Sequence, residues 1–191
     1  MDEFRIDNHK LMFHPRRVAE WLDRGDCYPI YVEVSPSGKC NHRCIFCALD
    51  YTGYDTPFID RVLLSNRMRE MLGLGLKAVM LAGEGEPLLH PEIDRIISNL
   101  KGIGLDISIT TNGVFLDKIF SDLDSLTWLR VSLDAGTAHT YSVVHGCKPE
   151  DFGKVLENLS KAVIYKKRCT IGVQFLLLME NIDEAMEGAR L

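Results

Sequence analysis

The segment KAVMLAGEGEPLLHPEIDRIISNLKGIGLDISITT, residues 77–111, contains the pattern that decides the fold. The run KAVMLAG at residues 77–83 predicts one β-strand, and LDISITT at residues 105–111 predicts another. Between them, residues 91–101 predict an amphipathic helix that Pro91 opens and Gly102 closes. A strand, a helix and a second strand in this order predict parallel pairing through a right-handed crossover.

The same alternation continues on both sides of this segment. Further strands are predicted at residues 30–35, 126–134 and 170–179, and further helices at 59–72, around 115–120 and at 150–166. The strands are nearly continuous apolar runs, which is typical of strands covered on both faces. The longest run, residues 175–179, is therefore expected in a buried strand, and Asn181 with Glu184 is expected to cap a fifth helix.

Five βα units in succession predict an α/β fold with a parallel, TIM-like barrel sheet. A closed eightfold barrel needs about 250 residues, whereas this chain has 191. We therefore expect a partial barrel, truncated after the fifth βα unit, in a chain that is part of something longer. Residues 30–191 are expected to form the barrel core, and residues 1–29 an N-terminal extension with a short helix at 15–24.

The composition limits the classes of partner. The formal net charge of −5 disfavours a nucleic-acid partner. We find no apolar run as long as a membrane span and no signal-peptide core, so a cytoplasmic location without membrane insertion is expected. In a reducing compartment, six cysteines favour metal binding or redox chemistry over a disulfide framework.

Polar and glycine-rich segments follow the predicted strands at their carboxyl ends. Ligands collect at that edge of parallel α/β sheets. An active site is therefore predicted there. The four segments, in strand order, are CNHRCIFC at 40–47, GEGEP at 83–87, TTNG at 110–113 and SLD at 132–134.

The spacing of the cysteines in CNHRCIFC indicates an open metal site. Closed zinc sites use four protein ligands, whereas Cys40, Cys44 and Cys47 supply three. A 4Fe–4S cluster on three thiolates leaves one iron without a protein ligand. His42 could be a fourth ligand, but inside this tight loop we expect it to face solvent. Structural zinc and unligated thiols remain alternatives.

These motifs resemble those of the radical S-adenosylmethionine (radical SAM) enzymes. The resemblance rests on C-x3-C-x2-C after the first strand, with Phe46 before the last cysteine, and on GEGEP, where Glu84 replaces the first of two glycines. It covers residues 30 to about 180. It implies a partial (β/α)6 barrel whose sixth strand is missing from this chain.

The resemblance also implies roles for individual residues. Cys40, Cys44 and Cys47 would bind three irons of a 4Fe–4S cluster, and SAM would bind the fourth. Glu86 would hold its loop or the SAM amino group, and Thr111 would shape the next loop. The expected SAM-binding residues are Phe46, Gly83, Glu84, Gly85, Glu86, Pro87, Asn112, Ser132, Asp134 and Gln174.

One departure from the family pattern concerns an arginine–glycine pair that many relatives have after the fourth strand. This chain has His145 and Gly146 there. If the arginine's contact with SAM matters, His145 or Arg130 would have to replace it. Tyr51 and Tyr54, next to the cysteines, are candidates for substrate contact.

The implied reaction is reductive cleavage of SAM to a 5′-deoxyadenosyl radical, which abstracts a hydrogen from a peptide, protein or small-molecule substrate. It needs an external electron donor of the flavodoxin or ferredoxin type. Two alternatives from other classes remain open: a non-catalytic iron–sulfur electron-transfer protein and a zinc-binding structural module.

Overall fold

A computed structural model describes residues 10–53 and 56–191. Its centre is one sheet of five strands in the order β1-β2-β3-β4-β5, and every neighbouring pair is parallel. The register places apolar residues of adjacent strands side by side, such as Val79 beside Ile107. The strands are β1 Tyr31–Val34, β2 Ala78–Leu81, β3 Asp106–Thr111, β4 Trp128–Ser132 and β5 Thr170–Gln174.

Helices connect the strands. Among the longer ones, α3 begins after Asp60, whose side chain caps Leu63 N at 2.7 Å. The α-helices are α1 Pro15–Arg24, α2 Ala48–Tyr51, α3 Arg61–Gly73, α4 Ile93–Gly102, α5 Ala138–His145, α6 Glu150–Tyr165 and α7 Ala185–Gly188. Short 3-10 helices cover Leu11–Phe13, Pro87–Leu89, Leu116–Ser125 and Ile182–Glu184.

The hydrophobic core lies between the helices and one face of the sheet. Residues of β2, β3 and β4 on this face, including Val79, Ile107 and Val131, are fully buried. They belong to the same core cluster as the apolar face of α4, where Ile97 and Leu100 are also fully buried. The opposite face of the sheet carries polar residues such as Thr110 and Ser132. Five parallel strands alternate with helices, and the sheet that the structure describes does not close on itself. The predicted α/β partial-barrel architecture is therefore confirmed.

The predicted fifth strand is too long. β5 ends at Gln174, and residues 175–179 leave the sheet, with Met179 87% exposed. The backbone N–H of Leu176 donates instead to Asp134 Oδ1 at 2.6 Å, so a side chain takes a donor that a strand would use. The expectation of a buried strand over residues 175–179 is wrong.

The predicted capping pair is also wrong. Asn181 makes no side-chain cap bond, and its amide donates to Asp134 O and Leu176 O, each at 2.8 Å. Glu184 accepts from residues that start α5, among them Gly136 N at 2.8 Å. The chain here therefore forms a 3-10 turn and the four-residue α7 rather than a long capped helix.

Helix α5 was not predicted. Its sequence AHTYSVVH has no clear apolar stripe, yet Thr137 caps it through Thr140 N at 3.3 Å and Gly146 ends it at a φ of 55°.

In the part of the chain that the structure describes, none of the helices is long and apolar enough to cross a bilayer.

Candidate active site

A cavity of about 630 Å³ opens at the carboxyl edge of the sheet, where the polar segments meet. Its size is in the range of small-molecule and cofactor sites. Most of the residues expected to bind cofactor line it, together with several that were not expected. The lining includes Lys39, Cys40, His42, Cys44, Phe46, Cys47, Asp50, Gly83, Glu84, Gly85, Glu86, Thr110, Thr111, Asn112, Ser132 and His145.

The segment 40–47, here called the cysteine loop, is packed directly against the GEGEP loop. Glu86 N donates to Lys39 O at 2.8 Å. A Cβ atom on Gly85 would overlap the carbonyl oxygens of Ser37 and Lys39, so only glycine permits this approach. The two loops are therefore held as one unit at the cavity wall.

The other side of the cysteine loop is bound to the end of α5. Arg43 N donates to His145 O at 2.9 Å, and Ile45 N donates to Val144 O at 3.0 Å. Gly146 has a φ of 55°, and a Cβ atom there would overlap the carbonyl of Arg43. The left-handed turn after α5 thus provides the surface on which the loop rests.

The three cysteines of the loop are free thiols that face the same cavity. Burial, followed by the neighbouring Cys40 and Cys47, raises the pKa of the Cys44 thiol to about 12. Burial also raises the pKa of Cys40. Three crowded thiols become thiolates only when a positive group compensates them, as iron does in a cluster. The donor set therefore fits a cluster with one iron open to a ligand.

His145 lies against the central cysteine. Its Nδ1 is 3.3 Å from Cys44 Sγ, and its Nε2 is 3.1 Å from Leu133 O. Since a carbonyl only accepts, Nε2 carries the proton and donates, and Nδ1 accepts from the thiol. Burial lowers the pKa of His145 to about 4, so the ring is neutral in this arrangement. His145 therefore contacts Cys44, and as a neutral ring it does not supply the positive charge that the arginine of many relatives would.

His42 is not exposed, and the expectation that it faces solvent is wrong. The residue is 2% exposed, and its ring packs edge-on against Tyr141 with centroids 5.8 Å apart. The reason is that α5 and α6 cover the inner side of the cysteine loop. Burial lowers the pKa of His42, an effect that Asp151 opposes.

Glu86 connects the GEGEP loop to the end of β3. Its carboxylate accepts from Thr111 Oγ1 at 2.6 Å, from Asn112 N at 2.8 Å and from Leu88 N at 3.0 Å. Burial raises the pKa of Glu86, and these three hydrogen bonds act against that rise. With three donors from the protein already bound, the geometry favours the loop-holding role over a contact with the SAM amino group.

Asn112 has two structural partners. Its Oδ1 accepts from Val114 N at 3.1 Å in a local turn, and its Nδ2 donates to Asn41 Oδ1 at 2.8 Å. It therefore links the TTNG segment to the cysteine loop while lining the cavity. Asn41 was not among the expected site residues. The sequence signal that could have indicated it is its position between Cys40 and His42 in the cysteine loop.

Three expected SAM-binding residues do not line the cavity. Pro87 begins the short 3-10 helix beneath the loop. Asp134 is 1% exposed, and its Oδ1 is occupied by Leu176 N. Gln174 is the last residue of β5, and its carbonyl accepts from Leu133 N at 3.0 Å. The structure thus places these three in supporting positions.

The remaining candidates lie at different depths. Phe46 is 40% exposed at the cavity wall, with its ring centroid 6.2 Å from that of His145. Arg130 lies deeper on the sheet and donates to Thr110 Oγ1 at 3.2 Å, and it is not part of the lining. Tyr51 is 93% exposed, and Tyr54 lies outside the described residues.

A parallel α/β sheet with three free thiols and a glycine-rich loop at its carboxyl edge defines a class of protein: a barrel-type domain built around an open metal centre. Comparison with protein families agrees with this class. The sequence model of the Radical SAM superfamily matches residues 34–191. The chain belongs to the radical SAM superfamily of enzymes, whose members use a 4Fe–4S cluster and SAM, as the motifs predicted.

Curated relatives carry the name GTP 3′,8-cyclase. One from Lactiplantibacillus plantarum is 30% identical over 166 residues, which are 82% of this chain and 48% of that protein. One from Clostridium acetobutylicum is 35% identical over 121 residues, 60% of this chain and 37% of that protein. The chain therefore spans about half, or less, of the length of these relatives.

Solved structures show the same fold. TYW1 with a lysine-pyruvate adduct bound superposes with a TM-score of 0.65 at 24% identity, covering 97% of this chain and 73% of TYW1. SuiB from Streptococcus suis, bound to precursor peptide SuiA, gives a TM-score of 0.68 at 20% identity, covering 93% of this chain and 40% of SuiB.

Proposed function

We propose that this chain carries the site at which a radical SAM enzyme binds its cluster and SAM and generates a 5′-deoxyadenosyl radical. The observation that carries the proposal is the meeting of Cys40, Cys44 and Cys47 with the GEGEP loop on one cavity. When bound, the cluster supplies the electron for reductive cleavage of SAM. The protein's own residues bind, orient and shield the reacting groups.

The residues divide this work between binding and support. Gly83 and Gly85 have no side chains, so the backbone of this loop can approach the SAM amino group closely. Phe46 would lie beside the adenine, and Ser132 at the end of β4 would reach the ribose or the carboxylate. Glu86 and Asn112 hold the loops that form this surface.

We infer that the substrate is a small molecule or a peptide, which loses a hydrogen atom to the radical. GTP is the first small molecule to test, because the curated relatives are named GTP 3′,8-cyclases. Superfamily enzymes need a reductant, and a flavodoxin- or ferredoxin-like protein would supply the electron. Six free cysteines suit a reducing cytoplasm. We assign these functions to a core of residues 30–191, preceded by an extension.

The cluster assignment is tested by anaerobic reconstitution with iron and sulfide. We expect about four irons per chain and a 4Fe–4S electron paramagnetic resonance signal after reduction, and we expect Cys44→Ala to abolish both. Cys27→Ala is the matched control, because Cys27 is an exposed free thiol outside the cavity. Unchanged iron binding in Cys44→Ala would disprove the assignment.

Addition of SAM separates an enzyme from an electron carrier. Binding of SAM at an open iron changes the spectrum of the reduced cluster, and turnover releases 5′-deoxyadenosine. A cluster that forms but does not respond to SAM would indicate the electron-transfer alternative. Zinc in place of iron after anaerobic purification, with three sulfur ligands, would indicate the structural zinc module.

A further inference from the structure

A second group of metal-ligand side chains lies on the side of the cysteine loop that faces α5 and α6, close to Cys44 but without any of the three cluster cysteines as a member. His42 comes from the loop itself, Cys147 follows the turn after α5, and Asp151 lies in the first turn of α6. One ligand atom from each residue lies within 4.8 Å of the other two. The three side chains therefore converge from three segments of the chain on one point.

The histidine is the observation that points to a ligand. Its side chain is 1% exposed, and neither Nδ1 nor Nε2 has a hydrogen-bond partner among the described residues. Burying an imidazole without partners for its nitrogens is costly, and such groups normally have a role. Nε2 lies 3.4 Å from Asp151 Oδ2, close enough for electrostatic attraction, but the two groups are not aligned for a geometrically good hydrogen bond.

The spacing suits a shared metal ion. At tetrahedral zinc, with bonds of about 2.0–2.15 Å to nitrogen and oxygen, two such ligands lie about 3.3–3.5 Å apart. The 3.4 Å between His42 Nε2 and Asp151 Oδ2 falls in this range. A thiolate at about 2.3 Å from the ion would lie about 3.6 Å from either ligand. The Cys147 sulfur lies within 4.8 Å of both of these atoms.

We propose that His42, Cys147 and Asp151 form a mononuclear Zn²⁺ site with water as the fourth ligand. A set of one nitrogen, one sulfur and one oxygen matches a borderline-soft divalent cation. A neighbouring triad of His42, Cys44 and His145 also has ligand geometry, but Cys44 belongs to the cluster. The proposed ion therefore uses none of the three cluster cysteines.

The site would fix the cysteine loop to the helices behind it. His42 lies between two cluster ligands in the sequence, whereas Asp151 starts the long helix α6. A bond through zinc would connect these elements directly, next to the contact between Gly146 and Arg43. We therefore assign the ion a structural role in holding the loop in the shape that receives the cluster.

The test uses protein that has been reconstituted anaerobically with iron and sulfide, treated with a chelator, and then given one equivalent of ZnCl₂. We expect one zinc per chain beside about four irons. Zinc K-edge X-ray absorption is expected to show one sulfur at about 2.3 Å and the remaining ligands at about 2.0–2.1 Å. Three sulfur ligands, which mean zinc in the cluster cysteines, would overturn the proposal, and so would no bound zinc.

Variants identify the ligands. Cys147→Ala and Asp151→Asn are each expected to weaken zinc binding at least tenfold, since even residues that only support a ligand cause losses of about 10–100-fold. Cys27→Ala and Glu150→Gln are matched controls, because they change an exposed cysteine and the adjacent acidic residue of α6. Zinc affinity equal to wild type in both ligand variants would overturn the proposal.

Two readouts keep the result interpretable. The wild-type sulfur count decides the proposal even if one variant does not fold. Iron and zinc are measured at separate absorption edges. Failure of the cluster assignment and failure of the zinc site therefore give different results.

Discussion

Replacement of Glu86 by glutamine tests whether this buried side chain holds the site together. The carboxylate accepts from two backbone donors, Asn112 N through Oε2 and Leu88 N through Oε1, and from the hydroxyl of Thr111. A glutamine of nearly the same shape has only one acceptor oxygen. In either orientation, its NH₂ group faces one of the two backbone N–H groups, which cannot accept a hydrogen bond.

The cost follows from that mismatch. A buried N–H without a partner costs about 1–3 kcal/mol, and loss of a charge-assisted hydrogen bond adds to it. We therefore expect Glu86→Gln to lower the free energy of unfolding by about 2 kcal/mol. For a chain of 191 residues, this corresponds to a decrease in Tm of about 4–8 °C.

The assay is urea unfolding of the reduced protein at pH 7, followed by far-ultraviolet circular dichroism. The control is Glu84→Gln in the same loop, where the side chain is only partly buried, and a change within about 0.5 kcal/mol is expected. Equal stability of the two variants would refute the reasoning, because it would mean that the three hydrogen bonds of Glu86 contribute nothing net.

Three further predictions concern other parts of the frame around the cavity. Gly146→Ala is expected to lower Tm and iron loading, since φ is 55° and a Cβ would overlap the cysteine loop. Gly153→Ala near the start of α6, where a Cβ would meet nothing within 4 Å, is expected to raise stability by about 0.5–1 kcal/mol, and shifts of the same sign in the two variants would contradict this. Asn158→Ala is expected to cost about 2 kcal/mol in urea unfolding, because its amide donates to the carbonyls of residues 113 and 114 at 2.9 and 3.1 Å; loss below 0.5 kcal/mol would refute that role. For Glu184, burial acts to raise the pKa, but hydrogen bonds from residues at the start of α5 outweigh it and hold the pKa below its ordinary value. Ionisation of Glu184 therefore stabilises the fold above about pH 4.5, and this contribution is lost as the pH falls through the folded pKa. The stability difference between wild type and Glu184→Gln should therefore be full at pH 7 and shrink below about pH 4.5, and a difference that does not vary with pH would contradict the assignment.

Much of the fold was predictable because its signals are local. The helix after the second strand has an apolar face with Ile96 and Leu100, and both are buried as the periodicity predicts. The four strands up to Ser132 lie where their apolar runs indicated, to within two residues. A local sequence pattern predicts a helix or strand well when the residues that stabilise it lie within that same helix or strand.

The errors arose where distant groups decide the local structure. The backbone of Leu176 turns out of the sheet because Asp134, 42 residues earlier, accepts its N–H. Asn181 and Glu184 look like a helix cap, but their side chains bind residues near the start of α5. Such pairings cannot be predicted from sequence periodicity, because the two partners are more than 40 residues apart in the chain.

For the candidate site, the sequence by itself determined the chemistry, and the tertiary structure decided the orientations. Three cysteines in eight positions indicate an open cluster, because three thiolates leave one iron without a protein ligand, and together with the glycine-rich loop they carry the family resemblance that implies SAM. Only the folded chain shows that His42 turns inward toward Asp151 and that Asp134 supports the wall instead of lining it. The physical reason is that burial depends on what covers a side chain. The cover here is α5 and α6, which lie about a hundred residues further along the chain.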